Sequence, residues 1–283
     1  AVLYSRIILA VLPFGVLQLL FQSFMITAEK PMLGLWVTVS SGVTNMVMDA
    51  VLVTLLPQEW KLTGAAIATA LSQTVGGAIP LVYFSRKNSS TLHLGKTHYN
   101  GKAVLKACVN GSSEFMSNIS MSVVAMLYNL QLMKYAGENG IAAYGVMMYV
   151  SMIFSAVFIG YSIGTAPVVG FHDGAQNHQE LHGLLHKSLV LIGTFGIGMI
   201  VAAELLAHPL AKMFVGYDTE LMELTVSGFR IFGLSFGFMG FAIFASGFFT
   251  ALNDGITSAI ISFLRTLVFQ SVAVMILPQL WGI

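Results

Sequence analysis

The sequence predicts an all-α, polytopic membrane helix bundle, and three observations carry that prediction. Of 283 residues, 56% are hydrophobic and only 9% are charged, against roughly 25% charged in an ordinary soluble domain. The apolar residues run in uncharged stretches of roughly 20 or more, each long enough to cross a hydrocarbon core of about 30 Å as a helix. Turn-like polar clusters separate these stretches. A net charge of +1 without a basic tail leaves no electrostatic footprint for nucleic acid, and the single Cys108 excludes an internally disulfide-stapled scaffold.

Charges and turn residues delimit eight spans: 7–26, 32–56, 62–85, 103–133, 141–171, 189–207, 222–250 and 256–280. Short links fall at Glu29-Lys30-Pro31, Pro57-Gln58-Glu59-Trp60, Glu138-Asn139-Gly140 and Asn253-Asp254-Gly255. Two links are longer. Residues 86–102 form a polar linker, and 172–187 form a polar segment with four histidines. Alternating loops place Lys30, Arg86, Lys87, Lys96, Lys102, Lys106 and Lys187 on one side, and Arg6, Lys61, Lys134 and Lys212 on the other. The positive-inside rule then puts the 86–102 linker in the cytoplasm, and the expected location is the cell (inner or plasma) membrane.

The chain contains a copy of part of itself. Residues 51–60 return as 272–281 with six of ten positions identical, including Leu56-Pro57-Gln58-x-Trp60 as Leu277-Pro278-Gln279-x-Trp281. One helix earlier, Arg6-Ile7 matches Arg230-Ile231 and Thr27-Ala28 matches Thr250-Ala251. Six helices separate the first span from the seventh. An even number preserves orientation, so the repeat is parallel, about an axis along the membrane normal. The second copy has three spans ahead of its Arg-Ile helix and no counterpart of span three. These offsets predict a parent of twelve helices in two lobes, from which the first three and the last are missing here. Residues 1–85 are then the last three helices of one lobe, 86–102 the linker, and 103–283 the first five helices of the other. The chain also begins without an initiator methionine or signal peptide.

Ionisable groups inside spans are the strongest functional pointers, because burying one is costly unless it is paired, hydrated or neutral. Asp49 lies inside span two, about 25 Å at helical rise from its cytoplasmic start, and Thr38, Ser41, Asn45 and Asp49 share one helical face. Gln18 and Gln22 stand one turn apart on span one, and Thr69, Ser72 and Gln73 line span three. Together they predict a polar pocket within three consecutive helices. Interhelical hydrogen bonding alone accounts for the glutamines, but poorly for the aspartate. In span four, Glu114 shares a face with Asn118, with Ser112 and Ser113 alongside; its nearness to the cytoplasmic end leaves both a site role and snorkelling to the headgroups open. Arg6, Arg230, Glu204 and His208 read as interfacial anchors. Arg265, inside span eight, has no partner nearby in sequence and calls for an acid across the bundle.

Enzyme-like patterns do not hold up. Gly160-Tyr161-Ser162-Ile163-Gly164 matches a nucleophile elbow, which needs a strand-turn-helix setting, whereas this one lies within an apolar helix. Ser151, Ser155, Ser162 and Ala166 read instead as a small-residue packing face ending at Pro167. His178, His182 and His186, at i, i+4 and i+8, read as a solvated amphipathic turn before a metal site. No phosphate-binding Gly-Lys-Ser/Thr signature is present, so an ion gradient must power any pumping.

These residues resemble the multidrug and toxic compound extrusion (MATE) transporters. The resemblance runs through Tyr4-x-Arg6-Ile7, Asn45-x-x-x-Asp49, Gly64-Ala65-Ala66-x-Ala68-Thr69, the stretch 142–167 followed by Gly174-Ala175, and Arg265. It implies twelve helices in two lobes, of which this chain holds the fourth to the eleventh. It also implies that Asn45 and Asp49 form the cation-site pair of the amino lobe, with Thr69 near a hydroxyl of that site, while a first-helix aspartate of the site lies outside this chain. Glu114 matches a seventh-helix glutamate of some members only weakly, because theirs is deeper. In the repeat Asp49 aligns with Gln270 and Asn45 with Thr266, so the acidic coupling chemistry falls in the first lobe.

The resulting expectation is a non-enzymatic, cation-coupled antiporter, driven by protons or sodium without a cofactor, that exports amphipathic organic cations by alternating access. Substrate contacts are expected from Gln18, Gln22, Gln73, Glu114, Asn118 and Arg265, with membrane lipids as neighbours and a monomeric state. Sixteen methionines and twenty phenylalanines offer adaptable cavity walls. The alternatives are a flippase of the same superfamily for a lipid-linked precursor, which calls for more cationic side chains than Arg265 and Arg230, and a non-transporting membrane scaffold.

Overall fold

A computed structural model describes residues 2–90, 92–95 and 98–281. Lys96, one of the basic residues sorted above, lies outside the described residues, as does the side chain of Trp281. The chain divides into two compact units, Ala1–Tyr99 and Asn100–Ile283.

In the first unit, α1 (Val2–Thr27), α2 (Pro31–Leu55) and α3 (Lys61–Ser85) follow in sequence, with a 3-10 turn at Gln58–Trp60 before α3. Pro31 opens α2, where its missing N–H would be unpaired anyway. Glycines and glutamines interlock α1 with α3. A Cβ on Gly76 would strike the side chain of Gln18, and one on Gly15 would press on Gln73. At Gly77 the neighbour is backbone, with the carbonyl oxygen of Phe14 2.5 Å from where a Cβ would stand. One turn further, Phe21 stacks on Phe84 with ring centroids 5.4 Å apart. The start of the 86–102 segment folds back onto this unit. The Leu94 N–H donates to the Phe84 carbonyl at 2.8 Å, Asn88 Nδ2 donates to the Tyr83 carbonyl at 3.1 Å, and Leu92 packs against the cluster of Phe21, Met25 and Phe84.

The second unit contains α4 (Gly101–Gly174), α5 (His178–Val215), α6 (Thr219–Gly233), α7 (Phe236–Ala251), α8 (Gly255–Ser262), a π-helical segment (Phe263–Phe269) and α9 (Gln270–Trp281). A straight helix of the 74 residues of α4 would extend about 110 Å, several times a bilayer core. It is instead a hairpin broken at Gly137, whose φ of 62° and ψ of −153° lie in a region essentially reserved for glycine. Tyr128 and Tyr144, which a straight helix would hold about 24 Å apart, stack across the turn with centroids 4.9 Å apart. The expected turn at Glu138-Asn139-Gly140 is thus real but hinges one residue earlier. Gly137→Ala should cost about 1–3 kcal/mol of stability, read as a lowered thermal unfolding midpoint of the purified protein. An unchanged midpoint would show that the turn adapts.

Six helical stretches are long and apolar enough to cross a membrane, α4 among them, and the pair α6 and α7 makes a seventh if its 50° bend lies within one span. With α4 folded as a hairpin, eight spans are reached when the bent pair α6 and α7 crosses as one. Three expectations need correction. Span 222–250 is not one helix, because around Leu234 the hydrogen bonds tighten to the i−3 carbonyl (Leu234 N–H to Ile231, Ser235 N–H to Phe232), the kind of break that a glycine and a serine, here Gly233 and Ser235, permit. The four-histidine segment 172–187 is not a loop. Helix α4 runs to Gly174, and α5 starts at His178, capped by the Asn177 side chain accepting from the Glu180 N–H at 3.2 Å. Span 256–280 is interrupted by the π-helical turns around Arg265.

The start of α8 is fixed by Asp254, which accepts from the Thr257 hydroxyl at 2.6 Å and from its N–H at 3.1 Å. Those two donors hold its carboxyl below the usual range. The core of the unit is aromatic. Phe229, Phe236, Val150, Ala203 and Ala207 form one cluster, and Phe158, Ile192 and Phe244 form another.

Candidate functional site

The first unit carries a hydrogen-bonded polar chain through all three helices. Gln18 Nε2 on α1 donates to Ser41 Oγ on α2 at 3.3 Å, and Ser41 Oγ donates to the Ser72 carbonyl on α3 at 2.8 Å. Gln18, Gln22 and Thr38 also border a crevice of about 10 Å³, room for little more than a water molecule. Gln73 is packed against Gly15, and its buried Oε1 has no hydrogen-bond partner among the described residues. Of the polar residues expected to converge from spacing, Gln18, Ser41 and Ser72 are joined by hydrogen bonds.

The proposed coupling residues lie further along. Asn45 and Asp49 are half-buried on α2, one and two turns beyond Ser41. Neither side chain has a hydrogen bond or ion pair among the described residues. Thr69 is half-buried on α3, and its hydroxyl donates to the Ala65 carbonyl of its own helix at 3.0 Å, which leaves its lone pairs available. Asp49 is thus a carboxylate within a membrane-spanning helix that no cation among the described residues pairs with.

In the second unit Glu114 is exposed, and Asn118 Nδ2 donates to the Glu114 carbonyl at 2.8 Å, so the amide supports the helix and not the carboxylate. Arg265 is half-buried within the π-helical segment, where its Nε makes a long 3.4 Å contact with Thr266 Oγ1. The Glu114 carboxylate lies within coulombic reach of the Arg265 guanidinium without closing to an ion pair. The acid expected opposite Arg265 is thus met by Glu114 only at coulombic range, with no ion pair or hydrogen bond between the two among the described residues. A π-helical turn re-aims side chains relative to an α-helix and often marks functional positions.

Sequence reasoning overlooked a hydroxyl network that ties α4, α7 and α8 together. Ser246 Oγ lies 2.8 Å from Ser258 Oγ and 2.9 Å from Ser262 Oγ, Thr250 Oγ1 lies 2.9 Å from Ser258 Oγ, and Ser113 Oγ lies 3.3 Å from Thr250 Oγ1. Asn110 Nδ2 completes it by donating to the Thr250 carbonyl at 3.1 Å. The signal was available as Ser246 and Thr250 at i, i+4 facing Ser258 and Ser262 at i, i+4. Ser41 and Ser262 are equivalent in the internal repeat, and each is bonded to the preceding helix of its pair, through Gln18 and Ser246 respectively.

Gly160–Gly164 lies within continuous α4, so no elbow exists. His178, His182 and His186 occupy successive turns of α5, and among the described residues no group of three or more His, Cys, Asp or Glu could hold a metal.

Comparison with known proteins now bears on this geometry. The MatE family model matches residues 115–275. The chain belongs to the MatE family. Among curated relatives, this MatE chain is 24% identical over 244 residues to the multidrug export protein MepA of Staphylococcus haemolyticus, covering 84% of this chain and 53% of that protein. It is 23% identical over 207 residues to the probable multidrug resistance protein NorM of Thermotoga maritima, covering 73% of this chain and 44% of that one. The chain thus spans about half the length of these relatives. Its fold matches a multidrug resistance MATE family transporter solved in an outward-facing conformation, with TM-score 0.88, 21% identity, and coverage of 100% of this chain and 63% of that one. A superfamily transporter from Pyrococcus furiosus, described as having a binding pocket of reversed polarity, matches at TM-score 0.88 and 21% identity with the same coverage.

Proposed function

We propose that this MatE chain is the part of a cation-coupled antiporter that carries the coupling carboxylate, in a parent that exports amphipathic organic cations by alternating access. The observation that carries the proposal is Asp49, a half-buried carboxylate on a membrane-spanning helix with no partner among the described residues. Uncompensated charge in such a helix is costly, so a site of this kind gains from binding a proton or a sodium ion. A proton neutralises the carboxylate directly. Sodium needs several oxygen ligands, and Asn45 Oδ1, Thr69 Oγ1 and backbone carbonyls are of the right chemistry. Coupling follows if the two access states bind the ion with different affinity.

Glu114 and Arg265 serve the substrate in this reading. Arg265 partly neutralises Glu114 when no drug is bound, and an organic cation competes for the same carboxylate. The relatives named as multidrug export and multidrug resistance proteins support the substrate class. The parent works as a monomer, without cofactor, in the cell membrane, with the 86–102 linker in the cytoplasm.

The test uses the full-length parent in proteoliposomes loaded with a fluorescent organic cation. Imposing a pH gradient alone or a sodium gradient alone should drive export in at least one case. Export that responds to neither gradient, or that requires ATP, would overturn the reading.

A further inference from the structure

Glu204 on α5 and Arg230 on α6 come together as the ion pair seen among the described residues, Arg230 Nε to Glu204 Oε1 at 3.4 Å. Both side chains are more than half exposed, at 55% and 58%. With Ile200, Ile231 and Leu234 they line a groove of about 400 Å³ at the 50° bend between α6 and α7. All five residues belong to the second unit.

The height of the groove in the membrane follows from two helices independently. At helical rise, Arg230 stands about 30 Å from Ala251 at the far end of α7, and Glu204 stands about 26 Å from Lys187 near the start of the apolar stretch of α5. Both distances approach the thickness of the hydrocarbon core. The pair therefore stands at headgroup level on the face opposite Lys187 and Ala251. Beyond it, α5 and α6 continue to a polar tip with Lys212, Asp218, Glu220 and Glu223.

A half-exposed ion pair contributes little to stability, so its two members can take other partners at small cost. They present one fixed cation and one fixed anion at headgroup height, with three branched apolar side chains beside them. A ligand that satisfies all of this carries a phosphate, a primary ammonium a few ångströms away and an acyl chain. We propose that this groove binds an aminophospholipid, such as phosphatidylethanolamine, through its headgroup. The phosphate accepts from the Arg230 guanidinium, whose fork suits it. The ammonium donates to the Glu204 carboxylate, and Ile200, Ile231 and Leu234 take the upper acyl chain. The exchange leaves no charge unpaired. Phosphatidylcholine has no N–H to give Glu204, and phosphatidylglycerol brings no cation.

Native mass spectrometry of the full-length parent, released from nanodiscs holding equal phosphatidylethanolamine, phosphatidylcholine and phosphatidylglycerol, tests the proposal. Phosphatidylethanolamine adducts should exceed the other two. Glu204→Gln should bring the ratio of ethanolamine to choline adducts to one while phospholipid adducts persist, and Arg230→Gln should remove the retained phospholipid. Ile231→Trp fills the groove without touching either charge, and should also remove it, which keeps the test decisive if Arg230→Gln misfolds. Equal retention of the three lipids by the unaltered protein, an unchanged preference in Glu204→Gln, or no phospholipid adduct at all, as when another segment of the parent covers the groove, would overturn the proposal.

Discussion

Gly77→Ala is expected to destabilise the first unit by on the order of 3 kcal/mol, the upper end of the cost of overpacking a tight interface. The added Cβ would stand 2.5 Å from the Phe14 carbonyl oxygen and 3.1 Å from its Cα. Neither atom can rotate away, because both are helix backbone. Relief requires α1 and α3 to separate, which would also pull Gln18 off Ser41 and loosen the stack of Phe21 on Phe84. Gly76→Ala should cost less, because its neighbour is the flexible Gln18 side chain, and Gly42→Ala nothing, because no atom stands within 4 Å of its Cβ position. Heating the purified protein and measuring the fraction that stays monodisperse ranks the three. If Gly77→Ala matches Gly42→Ala, the helices are not in the contact described.

Asp49→Asn is expected to leave the fold intact and to reduce gradient-driven export by the full-length parent to the leak of empty liposomes. Asparagine keeps the size and one oxygen, and no hydrogen bond or ion pair of Asp49 is lost among the described residues. What disappears is the exchangeable charge, hence the dependence of the two access states on the ion. Downhill drug exchange without a gradient should persist, because Glu114 and Arg265 are untouched. That combination distinguishes a coupling residue from a structural one, whose loss would lower both activities and the unfolding midpoint together. Parental export with parental pH and sodium dependence would assign Asp49 to interhelical packing.

The apolar helices, the duplicated Leu-Pro-Gln-x-Trp segment and the family were legible because they depend on composition and on order along the chain. A lipid environment demands long apolar helices, and such stretches stand out in any sequence. The polar face of α2 was legible too, because helical spacing alone brings Ser41, Asn45 and Asp49 to one side. Periodicity could not say which of these would find partners. Gln18 reaches Ser41 because Gly76 leaves room for its side chain, while Asp49, two turns away on the same face, has no hydrogen bond or ion pair among the described residues.

The sequence by itself determined that this protein is a MATE-like bundle of membrane helices with an acid, Asp49, inside its second span. Tertiary structure alone decided where those helices bend and which distant side chains meet. The turn at Gly137 falls where only glycine tolerates the backbone, one residue before the polar cluster that marked it. Arg230 finds Glu204, Gln18 finds Ser41, and the hydroxyls of α7 and α8 lock to α4. Each of these pairings joins residues far apart along the chain, and each depends on helix rotation and crossing, which are set by the packing of small residues against neighbouring backbone rather than by hydropathy.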